Sequence, residues 1–260
     1  MAWKLRAAWA LAIVTAAPAV VVAAGEGPSF LDDGYFDVID ILPPAPIKEE
    51  PRGVADREIF KLTRSLKGSQ RWQLAINDVA GDTASLMRDF SCAAALNLTP
   101  QNAPKTAALL EKATRDTERE TNAVKNFYRR QRPFQIDQGE TCQPQAEITG
   151  YDYPSGHATR GWTWGLVLAE ALHERAAPIL SRARAYGESR IVCGAHNASA
   201  VEAARLSATA TMDIVRTEQA YDDAVRAARN ELLALRKTST PPSPSACSAE
   251  EALVGQPILR

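Results

Sequence analysis

The chain holds three histidines, His157, His173 and His196, and histidine is the side chain best suited to move protons near neutrality. His157 closes the string Tyr153-Pro154-Ser155-Gly156-His157, directly ahead of an apolar run from Ala158 to Leu172. Pro154 and Gly156 predict a tight turn into a helix N-terminus. Unpaired backbone N–H groups and the positive end of the helix dipole would make Ser155, Gly156 and His157 a small anion site there. Taken alone, the same residues also describe an N-cap serine followed by an exposed first-turn histidine. They do not stand alone, because Ser189-Arg190 precedes His196 by a short segment and Lys125 precedes Arg132-Pro133. Pro133 is expected to end the helix that carries Lys125, leaving Arg132 at the helix end and pointing across a cavity. Two guanidiniums and an ammonium converging on a helix N-terminus supply what a phosphoryl dianion needs: forks for oxygen pairs, a point charge and backbone donors. Arg129 and Arg130 read instead as solvated charges near a helix C-terminus, and His173, outside every such string, as a polar helix residue with no role.

The elements that must position these groups are helical. Ile59, Leu62 and Leu66, then Trp72, Leu74, Ala75 and Val79, recur at threes and fours, as do Ala107, Leu109, Leu110 and Ala113, and Ala203, Leu206, Ala210 and Ile214. No sustained two-residue alternation marks a strand, and glycines and prolines punctuate the apolar stretches. The expectation is an all-α protein with a single compact multi-helix domain at residues 54–237. A Pro- and Gly-rich extended arm at 25–53 would precede it, and a Pro-, Ser- and Thr-rich mobile tail at 238–260 would follow.

Residues 1–24 read as a signal peptide. Lys4 and Arg6 precede an apolar run from Ala7 to Val22, and Val22-Ala23-Ala24 offers small residues for cleavage after Ala24. The run carries Pro18 and falls short of the roughly 20 residues of a spanning helix, so no membrane span is expected. Thirty Lys and Arg against thirty-one Asp and Glu give no footprint of nucleic acid binding. Cys92, Cys142, Cys193 and Cys247 are too scattered for a disulfide framework or a metal-binding pair. Export to an oxidising compartment permits a bridge, small buried thiols are the other reading of Cys92 and Cys193, and the spacing does not choose among the pairings. An extended arm is suited to packing on a second copy, so a homodimer is allowed.

Lys125-x6-Arg132-Pro133, Pro154-Ser155-Gly156-His157 and Ser189-Arg190-x5-His196 together resemble the three-part signature of the type 2 phosphatidic acid phosphatase and vanadium haloperoxidase superfamily. Within it the chain is most similar to the class A bacterial non-specific acid phosphatases. They share the Leu42-Pro43-Pro44 arm and surroundings like Phe90-Ser91-Cys92 and Gly161-Trp162, a likeness covering most of residues 30–235. The resemblance implies a periplasmic or secreted acid phosphatase that hydrolyses small-molecule phosphate monoesters of broad specificity, with no metal or other cofactor. By the same resemblance His196 attacks phosphorus to form a phosphohistidine, and His157 protonates the leaving group and later activates water. Lys125, Arg132, Ser155, Gly156 and Arg190 hold the phosphate. An acidic optimum follows if His157 starts protonated and His196 does not.

The chain departs from that family at one place. The family's third motif ends in an Asp four residues after the His, where it orients the imidazole, and here that position is Ala200. Glu202 lies about 240° around a helix from His196 and faces elsewhere, while Ser199 could supply a weaker acceptor. The departure leaves three outcomes: a carboxylate from a distant segment takes over, turnover is weakened, or the chain is a phosphate-ester-binding relative without turnover. On the sequence alone, Ala200→Asp is expected to raise turnover. A vanadate-dependent haloperoxidase is a further alternative, since the same cradle could hold vanadate.

Overall fold

A computed structural model describes residues 28–256 and 258; the expected signal peptide at 1–24 lies outside the described residues. Among the described residues the regular structure is helical, with no strand. The helices are α1 (Pro51–Thr63), α2 (Gln70–Asn77), α3 (Thr83–Ala94), α4 (Pro104–Tyr128), α5 (Pro133–Ile136), α6 (Gly156–Ala171), α7 (Ala176–Val192), α8 (Ala198–Val215), α9 (Gln219–Thr238) and α10 (Pro244–Val254). The all-α expectation holds. The apolar stretches read from spacing fall on α1, α2, α4 and α8, except that Leu66 and Val79 lie just beyond the ends of α1 and α2, and two members face solvent, Leu62 at 64% and Leu206 at 41% exposure.

Helix α6 lies at the centre, packed on α4, α7, α8 and α9. Two glycines let α7 approach it closely: a Cβ at Gly161 would overlap the Tyr186 ring, and one at Gly165 would overlap the Ala183 side chain. Toward α4 the contact is made by small hydroxyl residues. Thr163 Oγ1 donates to Thr117 Oγ1 at 2.9 Å, Thr121 and Thr159 hydroxyls pair at 3.0 Å, and buried Trp164 donates its indole N–H to Thr114 Oγ1 at 2.9 Å. Short side chains bring the helix axes together, and each buried hydroxyl finds a partner, so the close approach leaves no desolvated donor.

Among the described residues the N-terminal arm has no helix before Pro51, which stands in the first turn of α1. It is nevertheless packed on the domain. Leu31, Val38 and Leu42 are buried, the Phe30 and Leu31 amides donate to the Asp116 carboxylate at 2.8 and 3.0 Å, and Tyr153 donates its hydroxyl to the Pro43 carbonyl. At the other end, the segment expected as a mobile tail carries α10. It is tied to α3 by the Cys92–Cys247 disulfide and to α7 by a 3.1 Å ion pair between Glu250 and Arg182. Composition reports the prolines and serines of such a segment, not a cross-link to a cysteine 155 residues away. The second disulfide joins Cys142 to Cys193, so both cysteines read as possible buried thiols are bridged.

The position of Gly161 yields a stability test. Adding one methyl against the Tyr186 ring is expected to cost about 1–3 kcal/mol, so Gly161→Ala should lower the urea midpoint without changing the slope of the transition.

Candidate active site

The two histidine strings meet because α6 begins where α7 ends. Ser155 is the N-cap of α6, its Oγ accepting from the Ala158 amide, and its carbonyl takes the Thr159 amide. The Ser155 amide is itself spent on the Ala200 carbonyl at 3.0 Å, which clamps the start of α6 to α8. The N–H groups left over in this first turn are those of Gly156 and His157. Both residues line a cavity of about 420 Å³, together with Lys125, Arg132 and His196. Ser155 and Arg190 sit behind that surface, each almost fully buried.

Lys125 projects from the last turn of α4. That helix ends at Tyr128, capped by Arg129 in the left-handed region (φ 49°). Pro133 therefore does not terminate the helix of Lys125, as its sequence position suggested; it starts α5, with Arg132 as the extended residue before it. This early stop turns the chain so that Arg132 reaches inward.

A single loop then holds the charged groups. Thr149 and Gly150 carbonyls accept from Arg132 at 2.5 and 2.9 Å, the Tyr151 carbonyl accepts from Lys125 Nζ at 2.8 Å, and the Asp152 carbonyl accepts from His196 Nδ1 at 2.7 Å. Arg132 Nη1 also donates to the Ala195 carbonyl at 2.8 Å and lies 2.9 Å from His196 Nε2. A guanidinium has only donors, so His196 Nε2 must be the acceptor. The ring proton is thereby placed on Nδ1, toward Asp152, and the Nε2 lone pair faces the cation side of the cavity.

The Asp152 side chain, fully buried, adds to this. Its Oδ1 lies 3.2 Å from His196 Nδ1 and accepts from the Asn197 amide at 3.0 Å, while Oδ2 accepts from Asn197 Nδ2 at 2.9 Å and Arg130 Nη1 at 3.1 Å. Burial pushes this carboxyl above the usual range, against the pull of Arg130 and the Asn197 donors. Arg130 is thus not a solvated charge. It bridges Asp152 to Asp56, at 2.8 Å from the latter, and donates to Ser199 Oγ at 2.8 Å. Ser199 in turn serves Asp56 rather than His196, so it is not the substitute acceptor.

His157 Nε2 lies 2.9 Å from the Val79 carbonyl, which fixes the proton on that nitrogen and leaves Nδ1 for exchange. Burial, reinforced by the Arg190 charge, drops its pKa to about 3, and burial with the Arg132, Lys125 and Arg190 charges holds His196 well below the usual histidine value. Lys125 is lowered to about 8 and Arg190 to about 10, in each case chiefly by burial and then by neighbouring positive charge or, for Arg190, despite the Tyr186 hydroxyl. Arg190 Nη2 donates to Gln143 Oε1 at 2.9 Å, whereas its buried Nε and Nη1 have no hydrogen-bond partner among the described residues. Buried donors without partners are rare, and two on one guanidinium beside His157 mark where an oxyanion belongs. His173, by contrast, is exposed in the turn between α6 and α7.

Sequence reasoning brought together Lys125, Arg132, Ser155, Gly156, His157, Arg190 and His196, and the structure gathers them all in and behind one cavity. It missed Asp152, Arg130, Gln143 and the Val79 carbonyl. Only Asp152 had a signal, as a carboxylate two residues ahead of the Pro-Ser-Gly-His string.

What the helices assemble is a receptor for a tetrahedral oxyanion, with an unprotonated imidazole nitrogen at one side and a second imidazole at another. Comparison with known proteins agrees. Residues 107–219 match the model of the PAP2 superfamily. An acid phosphatase from Zymomonas mobilis subsp. mobilis is 36% identical over 220 residues, covering 84% of this chain and 83% of that protein. A non-specific acid phosphatase from Salmonella typhimurium is 33% identical over 195 residues, 74% of this chain and 78% of its own length, and one from Providencia stuartii is 30% identical over 207 residues, 78% and 83%. The chain belongs to the PAP2 superfamily, among its acid phosphatases.

The lowered Lys125 has a measurable consequence. Its ammonium is charged below about pH 8 and lost above it, so affinity for a dianion of fixed charge such as sulfate should fall as pH rises through 8. Lys125→Met should bind more weakly at pH 6 and show no such fall, as read by titration calorimetry.

Proposed function

We propose that the protein hydrolyses small phosphate monoesters of broad specificity through a phosphohistidine on His196, with no metal. The observation that carries the reading is the His196 tautomer: Nδ1–H is held by Asp152, and the Nε2 lone pair stands among Lys125, Arg132 and Arg190. The ester phosphoryl group would sit in the cavity with its oxygens on these three cations and on the Gly156 and His157 amides. Arg132 Nη1 transfers its hydrogen bond from His196 Nε2 to a phosphoryl oxygen, which frees the lone pair; Nε2 then forms a bond to phosphorus as the bond to the ester oxygen breaks, and that oxygen leaves with the electron pair and takes a proton from His157. Water then attacks the phosphorus of the phosphohistidine, giving its proton to His157, and the N–P electron pair returns to Nε2 as phosphate departs. Side-chain cations supply the charge neutralisation that a metal gives in other phosphoryl-transfer sites.

The burial of His157 revises the sequence argument for an acidic optimum. With its pKa at about 3, His157 is neutral before substrate arrives. A bound phosphate adds negative charge beside it and raises that pKa, and the second phosphate ionisation near about 6 lets a monoanionic ester carry the needed proton in with it. The acidic preference therefore belongs to the complex rather than to the free enzyme. By NMR, His157 should accordingly titrate at a higher pH with phosphate or vanadate bound than without.

Export to the periplasm or beyond is part of the same proposal. It is supported by the signal-like residues 1–24 and by the fit of two disulfide pairings to an oxidising compartment.

Turnover of an aryl phosphate by the purified protein across pH 4–8 tests the reading. Hydrolysis should survive a chelator, vanish in His196→Ala and fall steeply in His157→Ala. Binding of phosphate or vanadate without turnover would replace it with the phosphate-ester-binding alternative that Ala200 suggests.

A further inference from the structure

We infer that Asp152 is the positioning carboxylate for His196, taking from the loop ahead of α6 the role that the vacant position at Ala200 leaves open. The inference rests on the proposed nucleophilic role of His196. Its warrant is geometric. The Nδ1–H of His196 is shared between the Asp152 carbonyl at 2.7 Å and the Asp152 carboxylate at 3.2 Å, so one residue supplies both acceptors. The carbonyl suffices to fix the tautomer. The carboxylate contributes charge: as Nε2 bonds to phosphorus the ring becomes cationic, in a pocket that already holds Lys125, Arg132 and Arg190, and the Asp152 side chain is the carboxylate in contact with it.

The carboxylate is itself held rigidly. The Asn197 amide, Asn197 Nδ2 and Arg130 Nη1 all donate to it, which leaves it one orientation, with Oδ1 toward the ring. The Ala200 side chain, meanwhile, packs in an apolar cluster with Val38, Leu42, Val124 and Tyr153. A carboxylate placed there would enter an apolar pocket beside one that is already ionically satisfied, so the expectation that Ala200→Asp raises turnover is reversed.

Steady-state kinetics on an aryl phosphate, with inhibition by inorganic phosphate as the measure of affinity, tests the assignment. Asp152→Asn keeps the backbone acceptor and removes the charge, so kcat should fall about 10–100-fold, with the phosphate inhibition constant within about threefold of wild type. Asp56→Asn breaks the same buried ionic cluster on the far side of Arg130 without touching His196, and it should lose thermal stability while keeping kcat within about threefold. Ala200→Asp alone should give no gain. Equal kcat losses in Asp152→Asn and Asp56→Asn would reduce Asp152 to a structural role and overturn the inference. So would wild-type kcat in Asp152→Asn, or a severalfold gain from Ala200→Asp alone. Failure of the nucleophile assignment reads differently, as turnover persisting in His196→Ala.

Discussion

Three cations held together around one cavity is the condition that the rest of this site must satisfy. Lys125, Arg132 and Arg190 repel one another and are largely buried, and the lowered pKa values of Lys125 and Arg190 register that cost. Oxygens, mostly from the backbone, keep the arrangement from flying apart. Consecutive carbonyls of residues 149–152 take Arg132, Lys125 and the His196 ring in turn. Carbonyl dipoles hold cations without cancelling their charge, so the site keeps its attraction for an anion. Because the dipoles are fixed before substrate arrives, little reorganisation is left to accompany the reaction. Arg190 adds two buried donors that have no partner among the described residues, a further cost of the same arrangement.

Rigidity at the carbonyl loop has identifiable sources. The Cys142–Cys193 disulfide fastens the segment ahead of it to the turn between α7 and α8, and the Cys142 amide donates to the Cys193 carbonyl at 3.0 Å. Gln143, the next residue, is the one that takes Arg190. On the opposite side, the close contact at Gly161 and Gly165 fixes the start of α6 against the end of α7, which sets His157 beside Arg190. Ser189, the neighbour of Arg190 in the motif, donates to buried Asp78 at 2.5 Å and accepts from Arg71 at 2.9 Å. Its part is to lock the last turn of α7 in rotation, so that Arg190 faces the histidines.

The side chains gathered at the cavity were legible in the sequence because their spacing is local: a lysine seven residues before an arginine, a serine cap before a helix, an arginine six residues ahead of a histidine. The fold class was legible for a related reason, since helical apolar spacing is a short-range signal. Contacts made by backbone carbonyls leave no such trace, because any residue type at 149–151 offers the same oxygen. Arg130 was misread because the helix was extended to Pro133; once α4 stops at Tyr128, the residue leaves the solvated helix end and turns into the interior. The N-terminal arm and the C-terminal segment were read from proline content, which predicts where helices cannot run but not whether the chain lies against a core.

A carboxylate's origin along the chain matters less to an imidazole than the field at the place where it arrives. Asn197 is the N-cap of α8, and its amide and that of Ser199 belong to the unpaired first turn of that helix. Asp152 accepts from the first and Asp56 from the second, with Arg130 between the two carboxylates. Two anions thus converge from outside on the positive end of the helix that follows His196, where the dipole favours them. With Asp152 delivered by the loop, those donors are already taken, the third position of the helix is released from electrostatic duty, and an alanine packed against Val38 and Leu42 fits it.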